Sequence, residues 1–224
     1  MKPKRIILIR HGQSEANVDQ YLPSSQPDYT IELTSKGREQ AVEAGKKLRE
    51  MVGDESLYFY VSPFWRTRST FECVASVFPR SQFRYNEEPR LREQEWGYLR
   101  DLIEFDRVRQ ERLDYGIFYY RMPGGEAGSD VYDRINDLLG SLYRDFSRDD
   151  FPENCILVTH SLAIRLFIMR FFHLTVEEFE SMLSPANCSL VVLEQDEKGF
   201  YSLKTDILKS NAELKYSRPI VLQK

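Results

Sequence analysis

Three short apolar runs without alternation constrain this chain most: Ile6–Ile9, Leu57–Val61 and Cys155–Thr159. A strand with one wet face alternates apolar and polar residues. An unbroken apolar run suits a strand buried on both faces, as in a parallel sheet covered by helices. Gln82–Tyr85 is a weaker fourth strand. Leu190–Leu193 and Tyr201–Thr205 flank Glu197-Lys198-Gly199 and read as a hairpin. Helical spacing fills the intervals. Thr34 caps a helix with Ala41, Ala44, Leu48 and Val52 on one face. Thr67, Phe71, Val74 and Phe78 mark a second helix. Ser129 opens a third, with Val131, Ile135, Leu138, Leu142 and Phe146 inward. A fourth follows His160, and Thr175-x-x-Glu178 is a capping box for a fifth. The expectation is an α/β three-layer sandwich with a mostly parallel sheet. No Pro/Gly/Ser-rich linker divides the 224 residues, so one domain over 1–224 is expected. The stretch at about 96–128 reads as an insertion in the position of a lid.

Charge and cysteine content remove several function classes. Thirty-one Lys and Arg against 35 Asp and Glu give −4, which argues against a general nucleic-acid binder. The apolar run after Met1–Arg5 is interrupted at Arg10, too early for a signal sequence. Leu162–Phe172 carries Arg165 and Arg170, so no membrane partner is expected, and the default compartment is the cytoplasm. Cys73, Cys155 and Cys188 form no pair motif and read as reduced core thiols. Oligomeric state is not legible.

In open α/β sheets, ligands gather beyond the carboxyl ends of the strands. Two of the three strongest strands run into histidine, at Arg10-His11-Gly12 and at Thr159-His160-Ser161; the third ends at Ser62-Pro63, shortly before Arg66 and Arg68. Parallel packing brings these ends to one crevice. Three histidines in all, one of them the helical His173, make a poor zinc set, and Arg10 is a poor neighbour for a cation. No metal and no cofactor are expected. A neutral imidazole can instead attack phosphorus and carry the phosphoryl group. Nearby guanidinium groups keep it neutral and match phosphate geometry. Glu93 is the candidate acid for the leaving oxygen, with Glu95 as rival.

These residues resemble the histidine phosphatase superfamily, which includes cofactor-dependent phosphoglycerate mutases and many phosphatases. Arg10-His11-Gly12 matches its hallmark triplet, continued by Gln13, Ser14 and Asn17. Ser62-Pro63-x-x-Arg66-Thr67 matches the turn before its second arginine, and Leu91-x-Glu93-x-x-x-Gly97 its acid segment, which selects Glu93 over Glu95. Pro123-x-Gly125-Glu126 matches a further segment, with Ala127 in place of serine, and His160 matches the second histidine. The resemblance spans about residues 5–206. It implies His11 as nucleophile, Arg10, Arg66 and His160 on the phosphoryl oxygens, and Glu93 as acid and then base. It implies Ser14, Asn17 and Ser161 as phosphate contacts. Arg121 is a candidate grip for a second anion, against a plain surface role. Glu126 is expected to support rather than to react, and the aromatics at 115–120 to be local core or substrate mouth.

Ser161 stands where the family usually has glycine, which would strain a backbone needing φ > 0. Mutases carry a tryptophan where this chain has Ala16, and their long basic insertion is not evident. The segments around Trp96, Phe118–Arg121 and Asp130–Arg134 look more like the small phosphatase-type members of fungi and plants. The expected activity is hydrolysis of a small phosphate monoester. The alternatives are a mutase of the same fold and a catalytically weak binding or regulatory protein.

Overall fold

The computed structural model describes residues 3–22, 25–99 and 101–207. The outermost residues of the expected domain and Arg100 lie outside the described residues. The three apolar runs become β1 (Arg5–Arg10), β2 (Leu57–Val61) and β4 (Asn154–Thr159), with β3 at Phe83–Glu87. The expected hairpin is β5 (Leu190–Gln195) and β6 (Tyr201–Leu203). The strands lie in the order β3-β2-β4-β1-β5-β6. The first three contacts are parallel and the last two antiparallel. β6 is shorter than expected. Thr205 bonds through its hydroxyl to the Val192 amide and the Leu190 carbonyl, beyond the end of the β6 ladder.

Alternate side chains of the central strands enter two cores. Ile6, Leu8, Cys155 and Leu157 face α5 (Gly128–Phe146) and α6 (Ser161–Phe172). Ile7, Ile9, Phe59, Val61, Ile156 and Val158 face α2 (Ser35–Val52) and α3 (Trp65–Ala75). This is the expected α/β three-layer arrangement. Thr34 caps α2 by accepting from the Gly37 amide. α3 ends before Phe78, which still packs in the second core. α5 starts one residue earlier than expected. Its N-cap is Ala127, whose amide donates to Asp130 Oδ2 at 2.8 Å. The capping box at Thr175 opens only a six-residue α7 (Val176–Ser181). Cys155 is buried in the first core, and Cys73 and Cys188 pack against the second.

The stretch at 96–128 holds a helix, α4 (Leu102–Tyr115), started by Asp101, which accepts from the Glu104 amide. α4 packs through a third, small core of Leu99, Phe105, Val108 and Met122. Gly97 (φ 72°) joins this wall to the chain before α5. A Cβ there would lie 2.1 Å from the Pro123 carbonyl oxygen, so both the sign of φ and the close approach require glycine. Among the described residues, no helix is long and apolar enough to cross a membrane.

Candidate active site

Strand register alone brings the two histidines together. β1 and β4 are adjacent and parallel, with Arg10 opposite Thr159. The next residues, His11 and His160, therefore emerge side by side, with ring centroids 5.2 Å apart. β2 flanks β4 on its other edge and ends one step earlier. Its ladder continues with the Ser62 amide donating to the Val158 carbonyl, which sets Ser62 Oγ 2.8 Å from His160 Nε2. Gly12 then lies against Gly37 at the start of α2, where a Cβ would meet the Gly37 carbonyl oxygen at 2.4 Å. The short α1 (Glu15–Val18) follows, with Ser14 as its N-cap.

His11 has one ring nitrogen committed. Nδ1 lies 2.8 Å from the Gly12 carbonyl oxygen, which can only accept, so Nδ1 carries the hydrogen in the neutral ring. The Nε2 lone pair is left for the cavity that His11 lines. Burial, then Arg66, then Arg10 hold the ring well below its ordinary pKa, so it is neutral near pH 7. His160 is fully buried and lies behind the cavity surface. Burial, with Arg66 next, depresses it too, and its Nδ1 has no hydrogen-bond partner. Glu93 Oε2 is 3.6 Å from that nitrogen.

Glu93 sits on the chain after β3, and that chain is tied down from two sides. Thr159 Oγ1 donates to the Leu91 carbonyl at 2.7 Å. Arg134 on α5 donates to the carbonyls of Arg90, Arg92 and Glu93 and is itself held by Glu126. Glu126 thus fixes Arg134, Arg92 and the Glu95 amide, a supporting role as expected. Burial raises the Glu93 pKa, and Asp28 adds to the rise. Arg66, the Gln94 amide and Arg10 oppose it. Glu95 is exposed at the cavity edge.

Arg10, His11, Ser14, Asn17, Arg66 and Glu93 line one cavity of about 940 Å³. Arg10 Nη1 donates to the Pro185 carbonyl at 2.7 Å, while its buried Nε has no partner; nor has the buried Ser14 Oγ. Asn17 Oδ1 accepts from the Ser14 amide and from Asn187, whose side chain also holds the His11 carbonyl. Buried donors and acceptors without partners carry a desolvation cost unless a ligand meets them. Two of them belong to Arg10 and Ser14, which line this cavity, and a third to His160, whose ring lies 5.2 Å from that of His11. Ligand atoms of His11, Glu93 and His160 lie within 4.8 Å of one another, a spacing that a metal ion could use. Arg10 and Arg66 beside them disfavour a cation, so the electrostatics suit an anion.

Two expected contacts fall elsewhere. Arg121 is exposed and pairs with Asp130 at 2.6 Å, and it does not line the cavity. Its position nine residues before Asp130 gave no hint of that partner. Ser161 is the first residue of α6 and bonds Ser184 through its hydroxyl. It is not among the non-glycine residues with positive φ, so the replacement of glycine costs no strain. The aromatics at 115–120 do not form the mouth either. Phe118 joins the main core, and Tyr115 and Tyr119 are exposed. The far wall is Trp96 stacked on Phe105, with the Arg112 guanidinium 5.3 Å from the Trp96 ring centroid and Tyr98 outermost. Asp28, Ser62, Arg112 and Arg134 were missed from sequence. Only Ser62 had a signal, its place at the end of a strand beside that of His160.

A family model for the histidine phosphatase superfamily (branch 1) matches residues 6–207. The chain is 40% identical over 218 residues to the phosphoglycerate mutase-like protein AT74H of Arabidopsis thaliana, covering 90% of this chain and 78% of that protein. It is 28% identical over 302 residues to the broad-range acid phosphatase DET1 of Saccharomyces cerevisiae, covering 93% and 90%. A solved mycobacterial glucosyl-3-phosphoglycerate phosphatase has the same fold, with a TM-score of 0.70 at 22% identity over 92% of this chain and 100% of that one. The match begins inside β1 and runs past β6, taking in both strand-end histidines, and the chain belongs to the histidine phosphatase superfamily.

Proposed function

We propose that this chain is a phosphatase that hydrolyses small phosphate monoesters through a phosphohistidine at His11 Nε2. The observation that carries the reading is the committed Nδ1 of His11. It leaves a neutral, aimed lone pair between two arginines and across from a carboxyl group with a raised pKa. In the first step Nε2 attacks phosphorus, the bond to the ester oxygen breaks, and Glu93 gives that oxygen a proton. Arg10 and Arg66 meet the charge on the transferring oxygens. In the second step water attacks phosphorus, Glu93 takes its proton, and the N–P bond breaks to release phosphate. Ser14 and Asn17 border the same oxygens, and His160 backs the nucleophile.

Hydrolysis is favoured over a mutase reaction because Ala16 lines the cavity where mutases carry tryptophan. The yeast relative's name, a broad-range acid phosphatase, supports hydrolysis, while the plant relative's name says only that it is mutase-like. The 940 Å³ cavity and its aromatic wall suit a leaving group with a flat or apolar body. A panel of phosphorylated metabolites, scored for phosphate release against isomerisation and run with and without EDTA, tests the reading. Phosphate release that is indifferent to EDTA is expected. Isomerisation without release would make the chain a mutase. No turnover even of an aryl phosphate would make it a binding protein.

A further inference from the structure

Asp28, on the loop before α2, holds Arg66, a residue assigned to the phosphoryl group, through three hydrogen bonds. Its carboxylate takes Arg66 end-on, with Nη1 to Oδ1 at 2.9 Å and Nη2 to Oδ2 at 3.1 Å. Its backbone oxygen accepts the second Nη1 hydrogen at 2.7 Å. Three of the five guanidinium donors are therefore spent. Those that remain, Nε–H and one Nη2–H, form the side-on fork, which is itself a bidentate match for two phosphate oxygens. The pair is more than a surface ion pair. Arg66 is 4% exposed, its guanidinium lies 4.9 Å from the Phe64 ring centroid, and Asp28 is itself part of the cavity lining.

We infer that Asp28 is a positioning residue of the phosphoryl site, aiming the open fork of Arg66 and limiting how tightly the site holds a phosphate dianion. This rests on the proposed function. A fixed carboxylate against Arg66 cancels its charge at short range, so an incoming dianion meets one net positive charge fewer. Such a limit favours release of phosphate after hydrolysis. The same carboxylate also faces Glu93 and favours its protonated form. The other charged or titratable groups around Glu93 are Arg10 at the end of β1, His11 just after it, Arg66 on α3, Arg112 on α4, Arg134 on α5 and His160 after β4. Asp28 is the acidic member of that ring, so removing its charge leaves only groups that favour the carboxylate or are neutral.

The test titrates inorganic phosphate into the full chain by calorimetry and follows the pH profile of kcat/KM for an alkyl phosphate. It compares the parent with Asp28→Asn and Asp28→Glu. Asn keeps both Nη1 bonds, through its own carbonyl oxygen and the backbone, and loses the charge. Asp28→Asn is expected to bind phosphate roughly 3–10-fold more tightly, with the basic limb moved acidward by about 0.5–1 in pH. Asp28→Glu, which restores the charge, is expected to return both towards the parent. A purely structural role would weaken binding and leave the limb in place. Phosphate binding by Asp28→Asn that equals or falls below the parent's, or an unmoved limb, overturns the inference. If the parent turns over no monoester, the proposed function fails, and the phosphate titration still decides the role of Asp28.

Discussion

The floor and the far wall of the cavity are built by different means. The floor hangs from the ends of three parallel strands. His11 and His160 are placed by an in-register ladder, and Ser62 by the strand beside it. The strands are buried on both faces, so a one-residue slip would exchange two whole cores. The wall is carried by α4 and the chain around Trp96, which rest on a small core of four buried residues. The floor leaves little freedom for the reacting groups. The wall can change its side chains without disturbing the sheet. On the proposed function, the chemistry belongs to the floor and the choice of leaving group to the wall.

The strongest way to break that division is at the nucleophile. His11→Ala should lower turnover of every monoester by about 10⁴-fold or more, as loss of a nucleophile does elsewhere. Retention of activity on any substrate class would mean that the floor does not hold the reacting atom. Glu93→Gln comes next. Loss of a general acid costs about 10²–10⁴-fold, and the loss should fall on alkyl phosphates more than on aryl phosphates, whose leaving oxygen needs less help. The sign of the pH effect follows from the raised pKa of Glu93. The acid is present below that value and disappears as pH rises through it. The parent's phosphorylation rate should therefore fall on the basic side, and the variant should lack that limb. Single-turnover rates against pH measure this. Equal, small losses for both substrate types would transfer the role to Glu95.

How much of this was legible beforehand also divides along the floor and the wall. The floor could be read because its signals are local: an apolar run, a histidine at its end, a Ser-Pro turn. The geometry follows once the strands are parallel. Glu93 needed the family pattern to separate it from Glu95, because both lie within three residues on an irregular segment. Asp28 could not be read at all. Its pairing with Arg66 spans 38 residues and depends on how the loop before α2 folds back. Arg112 lies in a stretch, Arg100–Arg112, where basic and acidic residues are interspersed, and such mixed charge is the usual mark of a solvated helix face. There, packing on Trp96 decided its position, and charge pattern says nothing about packing. For Arg121 an anion grip and a surface role stand side by side in the sequence, because a partner nine residues away leaves no periodic signature.

The wall is sharpened by Arg112→Leu, which keeps an apolar body against Trp96 and removes a guanidinium whose buried Nε has no partner. It should change kcat/KM by about 3–30-fold, in a direction that depends on the leaving group, and leave phosphate affinity alone. A uniform loss across leaving groups would move Arg112 to the floor. Arg121→Ala should change no rate by more than about twofold, as for an exposed residue away from the cavity. A larger rise in KM for one doubly anionic substrate would restore it to the site.

In the proposed reaction every phosphoryl group passes through His11. Quenching the enzyme during turnover of a ³²P-labelled monoester and mapping the label tests it most directly. One acid-labile, base-stable phosphoryl group is expected on the peptide containing His11, absent from His11→Ala and longer-lived when hydrolysis is slowed in Glu93→Gln. A label on any other residue, or full turnover with no label in a rapid quench, would contradict it.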